Sequence, residues 1–242
     1  MKKFELHCHS SGPSICADVT DEQLIERYAK AGYDGIVLTN HINWSYNNYP
    51  GKTHKEKIDY YFSAVDRLKE LGKKHRLTIL FGLEVVALTD DGVHQEFAMF
   101  GFDRQFLYDN NLVDRYNQKQ LFDLANEHKL FMSQTHPFRI GEKLGDPRYM
   151  HGAEAFNGHY HHDNNNEKAI EFCKKHNLKM LSGTDFHHAD QPILGGAFLP
   201  DYIDNERALA DFLLNNQADI IIDQKQCLIA RENYLNSHKE NK

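Results

Sequence analysis

Apolar and polar positions alternate from 3 to 9, with Phe4, Leu6 and Cys8 on one face and Glu5, His7 and His9 on the other, which predicts an opening strand. Thr20 followed by Gln23 makes a capping box, and a helix is expected over 21–31, ended by Gly32. Short apolar runs predict further strands over 35–39, 77–86, 96–102, 130–135, 153–157, 179–182 and 218–222. Between them, patterns of helical period predict helices over 54–74, 118–128, 165–176 and 206–214. Strands alternating with helices argue for an α/β fold with a mostly parallel sheet. Residues 43–53, rich in Asn, Tyr and Gly, read as a lid over a site rather than a domain boundary. With no repeat, low-complexity tract or linker, 1–242 is expected to be one barrel domain, its polar end 233–242 frayed.

Composition narrows the partners. Of 242 residues, 40% are hydrophobic and 26% charged, as in a soluble globule with one large core. The net charge is −7 and no basic patch is visible, so duplex DNA is not an expected partner. A short oligonucleotide end stays open, because metal ions can supply positive charge. No run of 18 apolar residues is present, so no membrane span is expected, and the opening MKKFELHCHS does not read as a signal peptide. Cys8, Cys16, Cys173 and Cys227 form no CxxC pair, and a reduced, cytoplasmic protein is expected.

The 16 histidines change the picture. His7 and His9 end the first predicted strand, His41 follows the second, Glu84 ends the third, His136 follows 131–135, and Asp185 and His187 follow 179–184. In parallel α/β barrels the carboxyl ends of the strands converge on one face, where catalysis sits. Residues two apart in a strand point the same way, so His7 and His9 can reach one ion. Imidazole suits zinc, manganese or iron, and a carboxylate such as Glu84 or Asp185 can bridge two ions.

Five pieces, Glu5-Leu6-His7-Cys8-His9, Thr39-Asn40-His41, Gly82-Leu83-Glu84, Thr135-His136-Pro137 and Ser182-Gly183-Thr184-Asp185-Phe186-His187, occur in this order. Each alone is weak; together they make a chain that resembles the PHP family, the polymerase and histidinol phosphatase superfamily. The resemblance implies a distorted (βα)7 TIM-like barrel with its metal site at the C-terminal ends of the strands, and phosphoesterase chemistry with two or three divalent ions (Zn, Mn or Fe). It implies His7, His9, Glu84 and Asp185 around a first metal, Glu84 and His136 around a second, and His41 and His187 around a third. The chain departs from the family at Asn40, where an Asp is usual, and in the loop after His9, where Cys16 or Asp18 stands in for a further ligand. His94 and Glu96 lie near the place of one more ligand.

Arg139, three residues beyond His136, is read as a phosphate contact because guanidinium grips phosphate in a bidentate way. His159, after Asn157-Gly158, is read as a substrate contact, and Trp44, Tyr46 and Tyr49 either stack on an aromatic substrate or pack their loop down. The remaining histidines read as solvated surface or loop residues. The expected function is hydrolysis of a phosphomonoester or a short oligonucleotide phosphodiester by a metal-activated hydroxide near Glu84 and Asp185. The alternatives are a metal-dependent amidohydrolase and a non-catalytic, metal-stabilised binding module.

Overall fold

The computed structural model describes residues 1–43 and 45–239. In chain order the elements are β1 (Lys2–Cys8), α1 (Asp21–Lys30), β2 (Gly35–Leu38), α2 (His54–His75), β3 (Thr78–Val86), β4 (Glu96–Phe100), α3 (Arg104–Asp109), α4 (Gln118–Glu127), β5 (Phe131–Gln134), β6 (Gly152–Asn157), α5 (Asn166–His176), β7 (Lys179–Gly183), β8 (Ala197–Leu199), α6 (Glu206–Asn215), β9 (Asp219–Ile220) and α7 (Gln224–Lys239). Capping boxes start α1 (Thr20 with Gln23), α2 (Thr53 with Glu56) and α4 (Asn117 with Gln120), each cap contributing about 1 kcal/mol.

The sheet runs β7-β6-β5-β4-β3-β2-β1-β8-β9. It closes into a barrel because the chain beyond β7 returns to β1: the Asp185 N–H donates to the His7 carbonyl at 2.9 Å, and the His9 N–H to the Phe186 carbonyl at 3.0 Å. At the other end of β1, β8 pairs antiparallel, Lys2 opposite Leu199. Among the seven strands of the ring, only β4 runs against its neighbours, pairing antiparallel with both β3 and β5. Its first residue, Glu96, therefore lies at the same rim as the last residues of the others.

Two apolar layers hold this shape. Phe4, Leu6, Val37, Leu80, Phe100 and Phe131 pack with Leu209 and Leu213 of α6. A larger core joins the strands to α1, α2, α4 and α5 through Tyr28, Tyr61, Leu68, Leu121 and Phe172 among others. Burying one such side chain stabilises by roughly 1.5–3 kcal/mol.

Several expectations are corrected. The alternation in β1 is interrupted: its register with β2 shifts between Glu5 and Cys8, and Glu5 turns to Tyr28 of α1, whose hydroxyl donates to it at 2.9 Å, instead of joining His7 and His9. A last helix, α7, not expected from the sequence, takes in the polar stretch as far as Lys239, and residues 240–242 of that stretch lie outside the described residues. That helix buries Cys227 against Phe156 and Leu194 but leaves Leu228 and Ile229 57% and 42% exposed, so no apolar stripe announced it. The short α3 and β8 were likewise not expected. In the loop after β2, Tyr46 and Tyr49 are buried and hold the loop down, Tyr46 on His54 at 2.7 Å and Tyr49 on the His41 carbonyl at 2.5 Å. Trp44 lies outside the described residues. His54, expected at the surface, is part-buried and also bridges to the Leu107 carbonyl at 2.6 Å.

Candidate metal centre

The seven ligand candidates, His7, His9, His41, Glu84, His136, Asp185 and His187, all meet at one rim of the barrel, and all are buried. The Nε2 atoms of His7 and His9 are 3.0 Å apart. Each lies 3.4 Å from Glu84 Oε2 and 3.3 Å from Asp185 Oδ1. Donors about 2.05 Å from a tetrahedral ion stand ~3.3 Å from one another, so these five edges have the size of a metal polyhedron. Glu84 Oε2 is also 3.2 Å from His41 Nδ1, while its Oε1 is 3.2 Å from His136 Nε2. One carboxylate thus faces two donor groups, the arrangement of a bridging ligand. A third group joins His9, His41 and His187, whose ring nitrogens lie within 4.8 Å of one another.

The surrounding shell fixes the ring orientations. Glu154 Oε1 is 2.9 Å from His7 Nδ1, and Ser14 Oγ is 3.1 Å from His9 Nδ1, which leaves both Nε2 atoms aimed at the centre. His187 Nδ1 lies 2.9 Å from the Asp185 carbonyl. Asn40 ties the loop together instead of ligating: its Oδ1 accepts from the Ser10 N–H at 2.8 Å and from Ser14 Oγ at 2.9 Å. Two ligand candidates sit in the left-handed backbone region, His136 at φ 30° and Asp185 at φ 54°. Such conformations cost of order 1–3 kcal/mol for non-glycine residues and concentrate at functional sites. Gly183 is required for a close approach, since a Cβ there would meet His7 Cβ at 2.2 Å.

Burial opposes charge throughout this cluster, and neighbouring groups decide the outcome. Against burial, His7 and His41 hold the Glu84 carboxyl well below the usual range, and His7 and Arg139 do the same for Asp185. Against burial, Asp185, Glu154 and Glu84 hold the His7 imidazole well above its ordinary value. Burial pushes His9 and His187 down to about 4 and His41 down to about 3, which keeps them in the neutral form that coordinates metals. Burial, with Glu84 and Glu142 close by, pushes the Glu96 carboxyl well above its usual range. A cation among Glu84, Glu96 and Glu142 would relieve that repulsion.

The four further ligand candidates separate. Glu96 joins the cluster, its Oε2 3.5 Å from His136 Nε2 and its Oε1 4.0 Å from His41 Nδ1. His94 is exposed at the mouth of the cavity. Cys16 lines the same cavity, but burial pushes its thiol far above the ordinary range, and it belongs to no donor group among the described residues. Asp18 stands apart, accepting from His188 Nδ1 at 3.0 Å.

Arg139 lines the cavity and is anchored by three residues. Its Nη2 donates to Asp185 Oδ2 at 2.6 Å and to Asn157 Oδ1 at 3.1 Å, and its Nε donates to Asn164 Oδ1 at 2.8 Å. Nη1 makes no hydrogen bond among the described residues. His159 is 5% exposed and stands edge-on to His187 at 5.2 Å between ring centroids. The cavity, of about 330 Å³, also takes in Glu84, His136 and His162.

Two carboxylates escaped the sequence reading. Glu142 forms a donor group with Glu96 and His136, and its Oε2 is buried with no hydrogen-bond partner among the described residues, at the edge of the cluster. It lies on the loop after His136, where no periodicity marks it. Glu154 was detectable, as a lone charge inside the apolar strand Gly152–Asn157. The donor set, the polyhedral spacing and the orphaned Glu142 oxygen all fit divalent cations.

No family model matches the chain. It is 30% identical over 92 residues to a DNA polymerase III of PolC type from Oceanobacillus iheyensis, a stretch covering 38% of this chain and only 5% of that protein's length. Among solved structures, it is similar to a two-domain protein from Bacteroides vulgatus containing a predicted PHP-like metal-dependent phosphoesterase, with TM-score 0.63 and 18% identity over 96% of this chain and 69% of that one. It is similar to an amidohydrolase from Chromobacterium violaceum, solved with sulfate and without metal (TM-score 0.59, 13% identity, 90% and 97% covered). It is also similar to the lesion-specific endonuclease PfuEndoQ from Pyrococcus furiosus (TM-score 0.55, 13% identity, 90% and 57% covered). In its closed mixed barrel, the chain has the fold of the PHP-like metal-dependent phosphoesterases.

Proposed function

We propose that this chain is a metal-dependent phosphoesterase acting on a small phosphorylated substrate. The observation that carries the reading is an anchored arginine beside a polyhedral donor cluster: Arg139 is fixed on Asp185 at 2.6 Å while its Nη1 remains available at the cavity. His7, His9, Glu84 and Asp185 would hold a first ion, Glu84, His136, Glu96 and Glu142 a second, and His41 and His187 a third. When bound, such ions polarise phosphoryl oxygens and lower the pKa of water. Arg139 places a permanent positive charge where a phosphate would sit and strengthens its hold as charge builds on the equatorial oxygens. His159 walls the cavity beside His187, next to where that substrate would sit. At about 330 Å³ the cavity is at the small end of ligand sites, which suits a phosphomonoester better than a long chain. The net charge of −7 points the same way.

The test is turnover of p-nitrophenyl phosphate, bis-p-nitrophenyl phosphate and p-nitroacetanilide by protein reconstituted with Zn2+ or Mn2+, with Asp185→Asn alongside. The expected result is metal-dependent phosphoester cleavage, lost together with bound metal in the variant. Cleavage of the anilide alone would make the chain an amidohydrolase. Metal-loaded protein inert on all three and on nucleoside monophosphates would favour a binding module and overturn the proposal.

A further inference from the structure

A second group of histidines lies outside the strand-end cluster. His159 and His161 are on the loop after β6, and His188 is on the loop after β7. Each offers one ring nitrogen, and the three nitrogens lie within 4.8 Å of one another. His161 and His188 are only part-buried, so apolar packing does not account for the grouping.

Their rings are already oriented. His188 Nδ1 donates to Asp18 Oδ1 at 3.0 Å, leaving Nε2 as its remaining donor atom. A carboxylate behind a histidine in this way is the usual support for a metal-bound imidazole, because it sets the tautomer and raises ring basicity. His159 accepts the His161 backbone N–H at Nδ1, 3.3 Å away, so its Nε2 is likewise left over. The His161 ring stacks on Tyr234 of α7, 4.1 Å between centroids and 24° between planes, which restricts its rotation. Asp18 and Asp190 line the same hollow as His161 and His188 and give it a negative field.

We propose that His159, His161 and His188 form a further divalent-metal site at the mouth of the cavity, taking an imidazole-preferring ion such as Zn2+. Three imidazoles leave one coordination position for water or an anionic group of the substrate. A bound ion would draw the nitrogens from within 4.8 Å of one another to the ~3.3 Å of a tetrahedral edge, a shift of at most about 1.5 Å shared among rings of which two are part-buried. The site goes beyond the proposed function, since its ion is counted whether or not the strand-end cluster cleaves phosphoesters.

The experiment is a Zn2+ titration of the chelator-stripped chain by calorimetry, with elemental analysis after gel filtration. Wild type is compared with His161→Ala/His188→Ala, with Asp18→Asn and with Asp185→Asn. The double variant is expected to bind one Zn2+ per chain fewer than wild type. Asp18→Asn should weaken that one ion about ten- to hundredfold. Asp185→Asn should lose strand-end ions and keep this one. Circular dichroism of the stripped proteins and a His161→Gln/His188→Gln pair separate ligand loss from misfolding. A folded double variant that binds as many Zn2+ ions as wild type, with the same affinities, overturns the proposal.

Discussion

Glu154→Gln tests whether the metal centre depends on a carboxylate that touches no proposed ion. Glu154 is 4% exposed and meets three donors: His7 Nδ1 at 2.9 Å, the His136 N–H at 2.9 Å and Asn157 Nδ2 at 2.8 Å. Two of these belong to proposed ligands from different strands, so one side chain sets the His7 ring and the His136 backbone together. Glutamine has the same shape but presents one oxygen and one NH2 group. At least one of the three donors must then face another donor. An unsatisfied buried group costs about 1–3 kcal/mol. Loss of such a supporting carboxylate typically lowers metal affinity about 10–100-fold, or roughly 1.4–2.7 kcal/mol. The expected outcome is a first-ion Kd raised by at least tenfold in competition with a chromogenic chelator, and a smaller rise in Tm on adding Zn2+ than wild type shows. A Glu154→Gln protein that binds the first ion within twofold of wild type would refute the reasoning, because His7 would then be oriented without its partner.

Arg139→Ala should lower phosphomonoester kcat/KM by at least tenfold and also lower Tm, because the Asp185 carboxylate loses its charged donor at 2.6 Å and keeps the Asn157 amide at 3.2 Å; a hydrogen bond to a charged group contributes about 1.5–3 kcal/mol. Lysine should restore only part of the rate, having no planar fork, and equal kinetics for all three proteins would remove Arg139 from the site. Gly183→Ala places a methyl 2.2 Å from His7 Cβ and 2.8 Å from Glu154 Oε1. Overpacking of this kind costs about 1–3 kcal/mol, at roughly 2–4 °C of Tm per kcal/mol, and an unchanged melting curve would contradict the packing. His151 is part-buried with its imidazole pushed down to about 4 by burial, and its Nδ1 accepts the Met132 N–H at 3.1 Å. The unfolded chain therefore binds the extra proton first, so this contribution is intact above pH 6.5 and is lost as pH falls toward 4. Urea midpoints at pH 7 and pH 5 should differ less in His151→Gln than in wild type, and equal differences would mean that His151 plays no part.

Much of the scaffold was legible in the sequence because its signals are local. The capping box at Thr20 marks a helix start by residues three apart, and the apolar runs at 35–39 and 130–135 read as strands without reference to anything distant. The seven strand-end ligand candidates were legible for the same reason: a parallel barrel brings strand ends together by its topology, so position along the strand is enough to place His41 near Asp185. What lay beyond the sequence depends on contacts between distant segments. Glu96 opens its strand and reaches the centre only because β4 runs backwards, a choice made by pairing with β3 and β5 and not by its own five residues. Glu5 and His7 look equivalent by alternation, and a register shift sends one to Tyr28 and the other to the metal centre. Glu142 and Glu154 have no periodic signature linking them to His136, and Arg139 became a partner of Asp185 only across 46 residues of chain. α7 lacks an apolar stripe, so its place beside His161 rests on ring contacts that no local pattern encodes. Hydrophobic period and capping act within one element and can be read from it, whereas strand direction, register and the pairing of buried charges are decided by the closed barrel as a whole.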